Sequence, residues 1–320
     1  MKRILIHITC LFALFLNSMC ASGKETANNS MRLNVMGTHL VNEQGEPVIL
    51  RGVSYSWHLW HPRWYNAQSV QTFVNDWGLN LVRAAMGVEP EGGYIDNSEV
   101  GIACVETVVD QAIACGIYAI IDWHSHHIKT AEAKLFFTHM ATKYKGVPNV
   151  IYEIYNEPID DSWMDVKAYS EELINTIRAI DKEAIILVGT PHWDQDIHIA
   201  ADNPIQKQHN IMYALHFYAG THKKALRSKA DYAIKKGLPL FVSECAAVNA
   251  DGDGPIDYAS WSEWLTWMTN NQLSWAVWSV CDKNESSALM LPTASSIGGW
   301  KDSDLSEWGL FIRQELRKNQ

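Results

Sequence analysis

Ile151-Tyr-Glu-Ile-Tyr-Asn-Glu157-Pro158 is an apolar, strand-like stretch that ends in the polar pair Asn156 and Glu157, followed by a proline. A carboxylate at the exit of a buried parallel strand is costly to desolvate unless it has a partner or a chemical role. Further along the chain, Pro239-Leu-Phe-Val-Ser-Glu244 repeats the pattern, again with a glutamate at the end of an apolar run. The two stretches predict a carboxylate pair.

Short apolar runs of this kind recur along the chain and alternate with segments of helical periodicity, such as Val100–Cys115 and Ser170–Ile180. Strand and helix alternating eight times is the pattern of a (β/α)8 barrel, which typically needs about 250 residues. An open doubly wound sheet also alternates, but it usually carries a glycine-rich G-x-G-x-x-G loop, and none follows these runs. We therefore predict an α/β fold made of a single (β/α)8 TIM barrel. The predicted strands are Val48–Ser54, Leu79–Met86, Gly116–His124, Asn149–Glu157, Ala184–Thr190, Ile211–Tyr218, Pro239–Glu244 and Leu273–Val280.

Composition restricts the class of partner. The chain has 320 residues, 47% of them apolar, and a formal charge of −10. That charge argues against a nucleic-acid partner, because neutralising phosphates requires clustered lysine and arginine. Fourteen tryptophans favour a carbohydrate ligand, since flat aromatic side chains also pack on the apolar faces of sugar rings.

The N-terminal residues have the composition of an export signal. Lys2 and Arg3 precede the apolar run Ile4–Leu16, which is too short to span a bilayer as a mature helix. We predict a signal peptide over residues 1–22, a flexible polar leader over 23–31 and a catalytic barrel over 32–320.

Two processing routes stay open at the end of this signal. The small residues at 21–23 suit a signal peptidase, which would give a secreted or periplasmic protein. Leu16-Asn-Ser-Met-Cys20 loosely resembles a bacterial lipoprotein signal, although Met19 fits that pattern poorly. Lipid on Cys20 would place the protein on the outer membrane or cell surface, and we expect a membrane contact only in that case.

The six cysteines do not form the pattern of a disulfide framework. Cys10 lies within the signal. Cys104 and Cys115 share a predicted helix that separates them by about 16 Å, too far to bridge. Cys245 and Cys281 follow neighbouring predicted strands, so a disulfide is geometrically open, but buried free thiols are the simpler interpretation.

Polar residues occupy the exits of the predicted strands, where barrel enzymes carry their active sites. Arg83 beside Glu244 would hold that carboxylate ionised and oriented. His216 and Tyr218 share one side of their strand, so the Tyr218 hydroxyl can reach a catalytic carboxylate. The residues expected on this rim are Arg83, His124, Asn156, Glu157, His216, Tyr218, Glu244 and Trp278.

A metal site is the alternative interpretation of Asp122-Trp-His-Ser-His-His127. No second ligand cluster of suitable spacing accompanies it. Calcium at Asp251-Gly-Asp-Gly254 is a further possibility, but two carboxylates in four residues indicate more simply a turn. We expect neither a metal nor a cofactor.

Seven motifs together resemble glycoside hydrolase family 5, in particular its bacterial endoglucanases of the subfamily 2 type. The similarity runs from about residue 33 to the C-terminus. The motifs are Leu50-Arg-Gly-Val-Ser54, Val82-Arg-Ala-Ala-Met86, Ile121-Asp-Trp-His124, Tyr155-Asn-Glu-Pro158, His216-Phe-Tyr-Ala-Gly-Thr-His222, Phe241-Val-Ser-Glu244 and Trp278-Ser-Val-Cys-Asp-Lys-Asn-Glu-Ser-Ser287.

The resemblance implies a retaining endo-β-1,4-glucanase that hydrolyses internal bonds of cellulose or related β-glucans by double displacement. Glu157 would be the general acid and base, starting protonated because of nearby negative charge and partial burial. Glu244 would be the nucleophile, starting ionised because of Arg83. Asn156 would hydrogen-bond the 2-hydroxyl of the reacting sugar. A retaining pair also predicts carboxyl groups about 5 Å apart.

The resemblance also implies a set of sugar contacts. Trp278 would be the floor under the reacting sugar and Trp60 a platform for a more distant one, while Lys283 and Glu285 match positions that contact sugar hydroxyls.

The chain also departs from the family pattern: Ser54-Tyr-Ser-Trp-His58 lacks a histidine where some relatives carry one after Gly-x-Ser-Ser, and two further departures are single residues. Gly87 stands where a tyrosine often follows Ala-Ala-Met, and Cys245 replaces the tryptophan common after the nucleophile.

Two alternatives to a glucanase remain. A β-1,4-mannanase or xylanase of the same fold would keep the chemistry and change the sugar. A catalytically silent, glycan-binding surface lipoprotein would keep the cleft without hydrolysis. The expected partner is a β-glucan polysaccharide or oligosaccharide. We expect the protein to be a monomer. The sequence leaves open which β-glucan is preferred and how long the products are.

Overall fold

The computed structural model of the protein describes residues 31–318. Eight parallel strands pair in chain order, and the last pairs with the first to close a barrel. The predicted single (β/α)8 barrel is therefore confirmed. The predicted signal peptide, with Cys10 and Cys20, and the leader up to residue 30 lie outside the described residues.

A short antiparallel pair, β1 (Asn34–Met36) and β2 (His39–Val41), precedes the barrel. The barrel strands are β3 (Arg51–Tyr55), β4 (Leu81–Gly87), β5 (Tyr118–His124), β6 (Val150–Glu153), β7 (Ile185–Val188), β8 (Ile211–Tyr218), β9 (Leu240–Ala246) and β10 (Trp275–Val280).

Helices cover the outside of the barrel. They are α1 (Ala67–Thr72), α2 (Ser98–Cys115), α3 (Thr130–Lys143), α4 (Trp163–Arg178), α5 (Ile197–Asp202), α6 (Lys224–Lys235), α7 (Tyr258–Asn270) and α8 (Glu307–Arg317). A π-helical turn, Phe73–Trp77, follows α1, and 3-10 turns cover Pro62–Trp64 and Asp302–Asp304. Within residues 31–318, no helix combines the length and the apolar character that crossing a bilayer requires.

The segment Val100–Cys115 predicted from periodicity lies within α2, whereas Ser170–Ile180 overlaps α4, which begins earlier, at Trp163, and ends at Arg178. Ser162 caps the N-terminus of α4 by accepting the backbone N–H of Asp165, which satisfies a donor that the first turn leaves unpaired. Helix α2 ends at Gly116, whose φ of +70° is left-handed, a conformation that glycine adopts without strain.

Several strand ends differ from the prediction, and two of the differences concern the glutamates. Strand β6 ends at Glu153. Beyond it the chain turns towards β5, because the backbone N–H groups of Asn156 and Glu157 donate to Trp123 and Ser125 at 3.1 and 3.2 Å. Strand β9 instead continues past Glu244 to Ala246.

A β-bulge in β9 sets the direction of the Glu244 side chain. Ala214 of β8 pairs with Phe241, but His216, two residues on, pairs with Glu244, three residues on. The extra residue turns Glu244 to the inside of the barrel after the apolar Phe241. Bulges commonly re-aim a side chain at the rim of a barrel in this way.

The barrel interior is apolar at the N-terminal end of the strands and polar at their C-terminal end. The N-terminal part holds a fully or nearly buried cluster that includes Leu81, Ile120, Ile151 and Phe241. The next inward positions of three of these strands carry Arg83, Asp122 and Glu153, all buried. This alternation carries the charged residues to the C-terminal end of the strands, on top of an apolar plug.

Candidate active site

Glu157 and Glu244 meet at the C-terminal mouth of the barrel. One oxygen of each carboxylate lies within 4.8 Å of the other, on the scale of the 5 Å separation predicted from the sequence. The side chain of Glu244 is 6% exposed and that of Glu157 is 14% exposed. Both carboxylates are therefore largely desolvated and close enough to influence each other.

Two donors hold the Glu244 carboxylate. Arg83 Nη1 donates to Oε2 at 3.0 Å, and the Tyr218 hydroxyl donates to Oε1 at 2.6 Å. Both contacts agree with the prediction. They fix the carboxylate in one orientation and favour its ionised form.

Arg83 is shared among more carboxylates than the sequence indicated. Its Nε donates to Glu153 Oε2 at 2.6 Å and its Nη2 lies 2.9 Å from Asp122 Oδ2. Nη2 also donates to Asn156 Oδ1 at 2.7 Å. Asp122 and Glu153 were not predicted as site residues, although each interrupts an apolar strand, as Glu157 does.

Asn156 keeps donor capacity for a ligand. Arg83 occupies its amide oxygen, while its buried amide nitrogen has no hydrogen-bond partner among the described residues. An unpaired buried amide donor costs free energy. A sugar hydroxyl is an acceptor that would remove this cost.

Two histidines flank Glu157. His216 Nδ1 lies 2.9 Å from Oε1, and His126 Nε2 lies 3.4 Å from Oε2. Burial alone would raise the pKa of Glu157, but hydrogen bonds from His126 and His216, together with their charge, outweigh it and lower the pKa to about 2. His126 was not predicted as a site residue.

The surroundings of Glu157 therefore oppose the protonated form that was expected of it, whereas the pKa shift of Glu244 is a direction that does not exclude the ionised form expected there. Burial and the charge of Glu157 raise the pKa of Glu244, against the influence of Arg83 and the Tyr218 hydroxyl. The expectation for Glu157 failed because the sequence did not reveal how closely two histidines approach it. The contacts with Glu157 in turn raise the pKa values of His126 and His216.

His124 is held by Asp122 and two tryptophans. Its Nδ1 lies 2.6 Å from Asp122 Oδ2, its ring stacks on Trp278 at 5.3 Å, and Trp57 packs edge-on at 4.3 Å. Burial and the nearby Arg83 charge put the pKa of His124 well below its usual value. The ring is thus neutral, with Nδ1–H directed at Asp122 and Nε2 free to accept.

A groove passes over both carboxylates. One cavity of about 570 Å³ is lined by residues that include Trp193 and His126. A second of about 260 Å³ is lined by Trp60, Trp278, Lys283 and Glu285, among others. Glu157 and Glu244 lie in the walls of both. All residues predicted for the rim and for sugar contacts thus come together, and Lys283 pairs with Glu285.

Trp193 is a groove residue that the sequence analysis missed. It belongs to a turn after β7 in which His192, Trp193 and Asp194 all have left-handed φ values, 61, 55 and 58°. The Trp193 side chain is 37% exposed. Such a run is rare for residues other than glycine, so no sequence pattern signals it.

The two single-residue departures from the family pattern have local explanations. A Cβ at Gly87 would lie 2.5 Å from the Trp57 ring and 2.4 Å from Leu59 Cδ2, so Trp57 fills the space of a larger side chain. Cys245 is buried and contacts Ala276 O through Sγ at 3.4 Å. The four cysteines within residues 31–318 are all free, which confirms free thiols at Cys245 and Cys281.

Among the described residues, one group brings three atoms of metal-binding type together: Glu157, His216 and Glu244. These side chains already bind each other and Arg83 or Tyr218 through hydrogen bonds. In the turn at Asp251–Gly254, Asp253 instead accepts from the backbone and hydroxyl of Ser286.

The sequence model described as "Cellulase (glycosyl hydrolase family 5)" matches residues 41–284. The chain belongs to glycosyl hydrolase family 5. It is 41% identical over 292 residues to "Endoglucanase" of Clostridium saccharobutylicum, covering 89% of this chain and 65% of that protein. It is 47% identical over 238 residues to "Endoglucanase Z" of Dickeya dadantii, covering 73% of this chain and 56% of that protein.

This family 5 chain also resembles solved structures. The catalytic domain of Thermobifida fusca endoglucanase Cel5A, solved in complex with cellotetraose, superposes with a TM-score of 0.83 at 32% identity, covering 89% of this chain and 97% of that one. The chain spans less than two thirds of the length of the two curated relatives above.

Proposed function

We propose that the protein is a retaining endo-β-1,4-glucanase acting on cellulose or related β-glucans. The observation that carries this proposal is the pair Glu157 and Glu244, with oxygens within 4.8 Å in the middle of a groove that continues on both sides. That separation suits a carboxylate that attacks the sugar directly, whereas inversion needs a wider gap, of about 6.5–9.5 Å, to hold a water.

In the first step, Glu244 attacks the anomeric carbon and forms an ester bond. The bond from that carbon to the leaving oxygen breaks, and Glu157 gives its proton to this oxygen. Arg83 and Tyr218 keep Glu244 oriented for attack. In the second step, Glu157 takes a proton from water, the resulting hydroxide attacks the same carbon, and the ester to Glu244 breaks.

Protonation of Glu157 before the first step draws on His216. Its Nδ1 is 2.9 Å from Glu157 Oε1, so a proton can move between them without rearrangement. Formation of the ester then neutralises Glu244. Because a negative neighbour raises the pKa of a carboxyl, its loss lowers that of Glu157, which suits its role as a base in the second step.

Binding groups divide between the two parts of the groove. Trp278 would stack under the sugar that becomes the ester, and Trp60, Lys283 and Glu285 would hold sugars beyond it. The cavity beside Trp193 would take the leaving chain. A groove open on both sides of the carboxylates admits the interior of a polymer, which supports endo cleavage.

A polysaccharide panel tests the reaction. We expect release of reducing ends, with a rapid fall in viscosity, from carboxymethylcellulose or mixed-linkage β-glucan, and products that first appear in the β configuration. Glu244→Gln should lower kcat at least about 1,000-fold, since the amide cannot act as the nucleophile. Glu263→Gln, which changes an exposed glutamate paired with Arg227, is the matched control.

Each outcome of the panel is informative. Hydrolysis of mannan or xylan in place of β-glucan would keep the mechanism and replace the sugar. Normal activity of Glu244→Gln would refute the assignment of the nucleophile. Binding of β-glucan without hydrolysis would favour a glycan-binding surface protein.

Export is part of the proposal and rests on Lys2, Arg3 and the apolar run that follows them. Cell fractionation of the full chain distinguishes a secreted or periplasmic protein from a lipoprotein. Labelling with a fatty acid that disappears in Cys20→Ser would identify the lipid route.

A further inference from the structure

Behind the proposed acid lies a buried carboxylate to which the mechanism gives no role. Asp194 has no exposed surface and belongs to the left-handed turn after β7. Its Oδ1 accepts the backbone N–H of Thr190, while Oδ2 lies 3.3 Å from His216 Nε2. Oδ2 makes no hydrogen bond among the described residues, so its approach to Nε2 is a charge contact, and the hydrogen bond of Nε2 is with Ser243 Oγ at 2.9 Å.

His216 thus stands between two carboxylates. Nδ1 faces Glu157 Oε1 at 2.9 Å. Nε2 faces Ser243 Oγ at 2.9 Å, Asp194 Oδ2 at 3.3 Å and Glu153 Oε1 at 3.7 Å. Since carboxylate oxygens accept and do not donate, the geometry favours a proton on Nε2.

The charged and titratable groups around the His216 ring come from every neighbouring strand, and carboxyl groups outnumber cations. Beyond the contacts already given, Asp122, His124 and Glu244 act on the ring through their charges, and His126 lies beside Glu157. The excess of negative charge favours a cationic ring.

We propose that Asp194 is a positioning residue that keeps His216 protonated at Nε2, so that the proton on Nδ1 is the one shared with Glu157. This inference rests on the proposed function, because the shared proton matters only if Glu157 is the general acid. With Nε2–H hydrogen-bonded to Ser243 Oγ and facing the charge of Asp194, transfer from Nδ1 to Glu157 Oε1 leaves a neutral imidazole. If Nε2 carried no proton, loss of the Nδ1 proton to Glu157 would leave an anionic imidazolate ring.

Charge supports the same arrangement. Burial alone would lower the pKa of His216. The charge of Asp194 has the largest opposing effect, and three glutamates act in the same direction: Glu153, Glu157 and Glu244. The pKa of His216 therefore lies well above its usual value. Burial also raises the pKa of Asp194 well above its usual value, against the charge of His216 and the Thr190 N–H. The carboxylate and the imidazolium therefore stabilise each other's charge across the 3.3 Å contact. The alkaline limb of kcat/KM should report loss of the proton shared with Glu157.

The test is Asp194→Asn. Asparagine tolerates the left-handed backbone as aspartate does, so the turn can persist. Its amide NH2 would face Nε2 and favour a lone pair there, the wrong tautomer. We expect the alkaline limb of kcat/KM to move at least about one pH unit to lower pH, because one facing negative charge is lost.

Two comparisons isolate the effect. Hydrolysis of cellooligosides with an alcohol-like leaving group needs the proton of Glu157, whereas hydrolysis of those with a dinitrophenyl leaving group does not. Only the alcohol-like substrates should therefore show the shift of the alkaline limb in Asp194→Asn. Asp196→Asn changes a carboxylate in the same segment that pairs with Lys229 at 2.7 Å. It should leave both profiles unchanged.

Three results would overturn the proposal: an alkaline limb that does not move, an equal loss of kcat/KM at every pH, and an equal loss with both leaving groups. If Asp194→Asn fails to fold, nitrogen NMR of the wild-type histidines decides the question, with His216→Gln identifying the His216 signals. The ring should remain an imidazolium well above the ordinary pKa of about 6.5, and titration at or below that value would refute the proposal. This measurement needs no activity, so it separates failure of this inference from failure of the proposed function.

Discussion

At the residue scale, the site depends on single buried charges held by short hydrogen bonds. Arg83 contacts three carboxylates, those of Asp122, Glu153 and Glu244, with no exposed surface of its own. A buried charge is costly unless it is paired, so this arrangement is stable only when every member is present. The nucleophile is therefore oriented by the whole cluster.

Removing the Tyr218 hydroxyl tests how hydrogen bonding sets the pKa of Glu244. The hydroxyl donates to Oε1 at 2.6 Å and thereby lowers the pKa of Glu244, against burial and the charge of Glu157. Tyr218→Phe removes this bond and should raise that pKa. Because Glu244 must be ionised, the acid limb of kcat/KM should move to higher pH, and kcat should fall about 10- to 100-fold.

The measurement is the pH profile of the variant on a soluble β-glucan. Tyr232→Phe removes an exposed hydroxyl that binds Asp202 and should leave the profile in place. A fall in activity with an unmoved acid limb would mean that Tyr218 orients Glu244 without setting its charge.

Single residues differ in how far their roles could be anticipated. Glu157, Glu244 and Arg83 interrupt apolar runs, and their placement was predictable. Asp122 and Glu153 carry the same signal and were missed. His126 stood in the histidine-rich segment Asp122–His127 but was not assigned to Glu157, and Asp194 interrupts no apolar run. The contacts of both residues depend on how a loop and a turn fold over the barrel mouth.

At the element scale, irregularities in the strands determine the geometry of the pair. The bulge in β9 turns Glu244 inward, and the early end of β6 lets Glu157 cross towards β5. Hydrophobic pattern predicted both strands, since strand periodicity is a local property. It could not predict either irregularity, because a bulge depends on pairing with the neighbouring strand.

Gly189, after β7, supports the segment that carries Glu157. A Cβ there would lie 2.5 Å from Tyr155 O and 3.1 Å from Pro158 Cδ. Gly189→Ala should push this segment away, costing about 1–3 kcal/mol of stability and about 10-fold or more in kcat, since small displacements of reacting groups are expensive. Thermal unfolding and kcat on β-glucan measure the two effects.

Gly101→Ala is the matched control. Its Cβ would meet the flexible Met86 side chain at 3.1 Å inside α2, where alanine is favoured over glycine. It should leave kcat unchanged and stability unchanged or slightly higher. Wild-type activity in Gly189→Ala would show that the Glu157 segment adapts without loss.

At the scale of the whole molecule, the barrel presents one groove whose aromatic residues lie on both sides of the carboxylates. Trp60 lines the smaller cavity and Trp193 the larger one. The resemblance of the chain to family 5 predicted the role of Trp60. The position of Trp193 in the groove could not be predicted, because it depends on an unusual left-handed turn. The fold itself was predictable because eight alternating elements leave few compact arrangements.

The two tryptophans should therefore control opposite ends of a bound chain. Stacking on an aromatic ring contributes about 0.5–1.5 kcal/mol, so Trp60→Ala and Trp193→Ala should each raise KM for cellohexaose about 2- to 12-fold with little change in kcat on polymer. Product analysis should show the preferred cleavage point moving in opposite directions, because each variant weakens one side of the groove. Tyr258→Ala removes an exposed aromatic ring that lines neither cavity and should leave the pattern unchanged. An identical product pattern in both tryptophan variants would contradict a groove divided by Glu157 and Glu244.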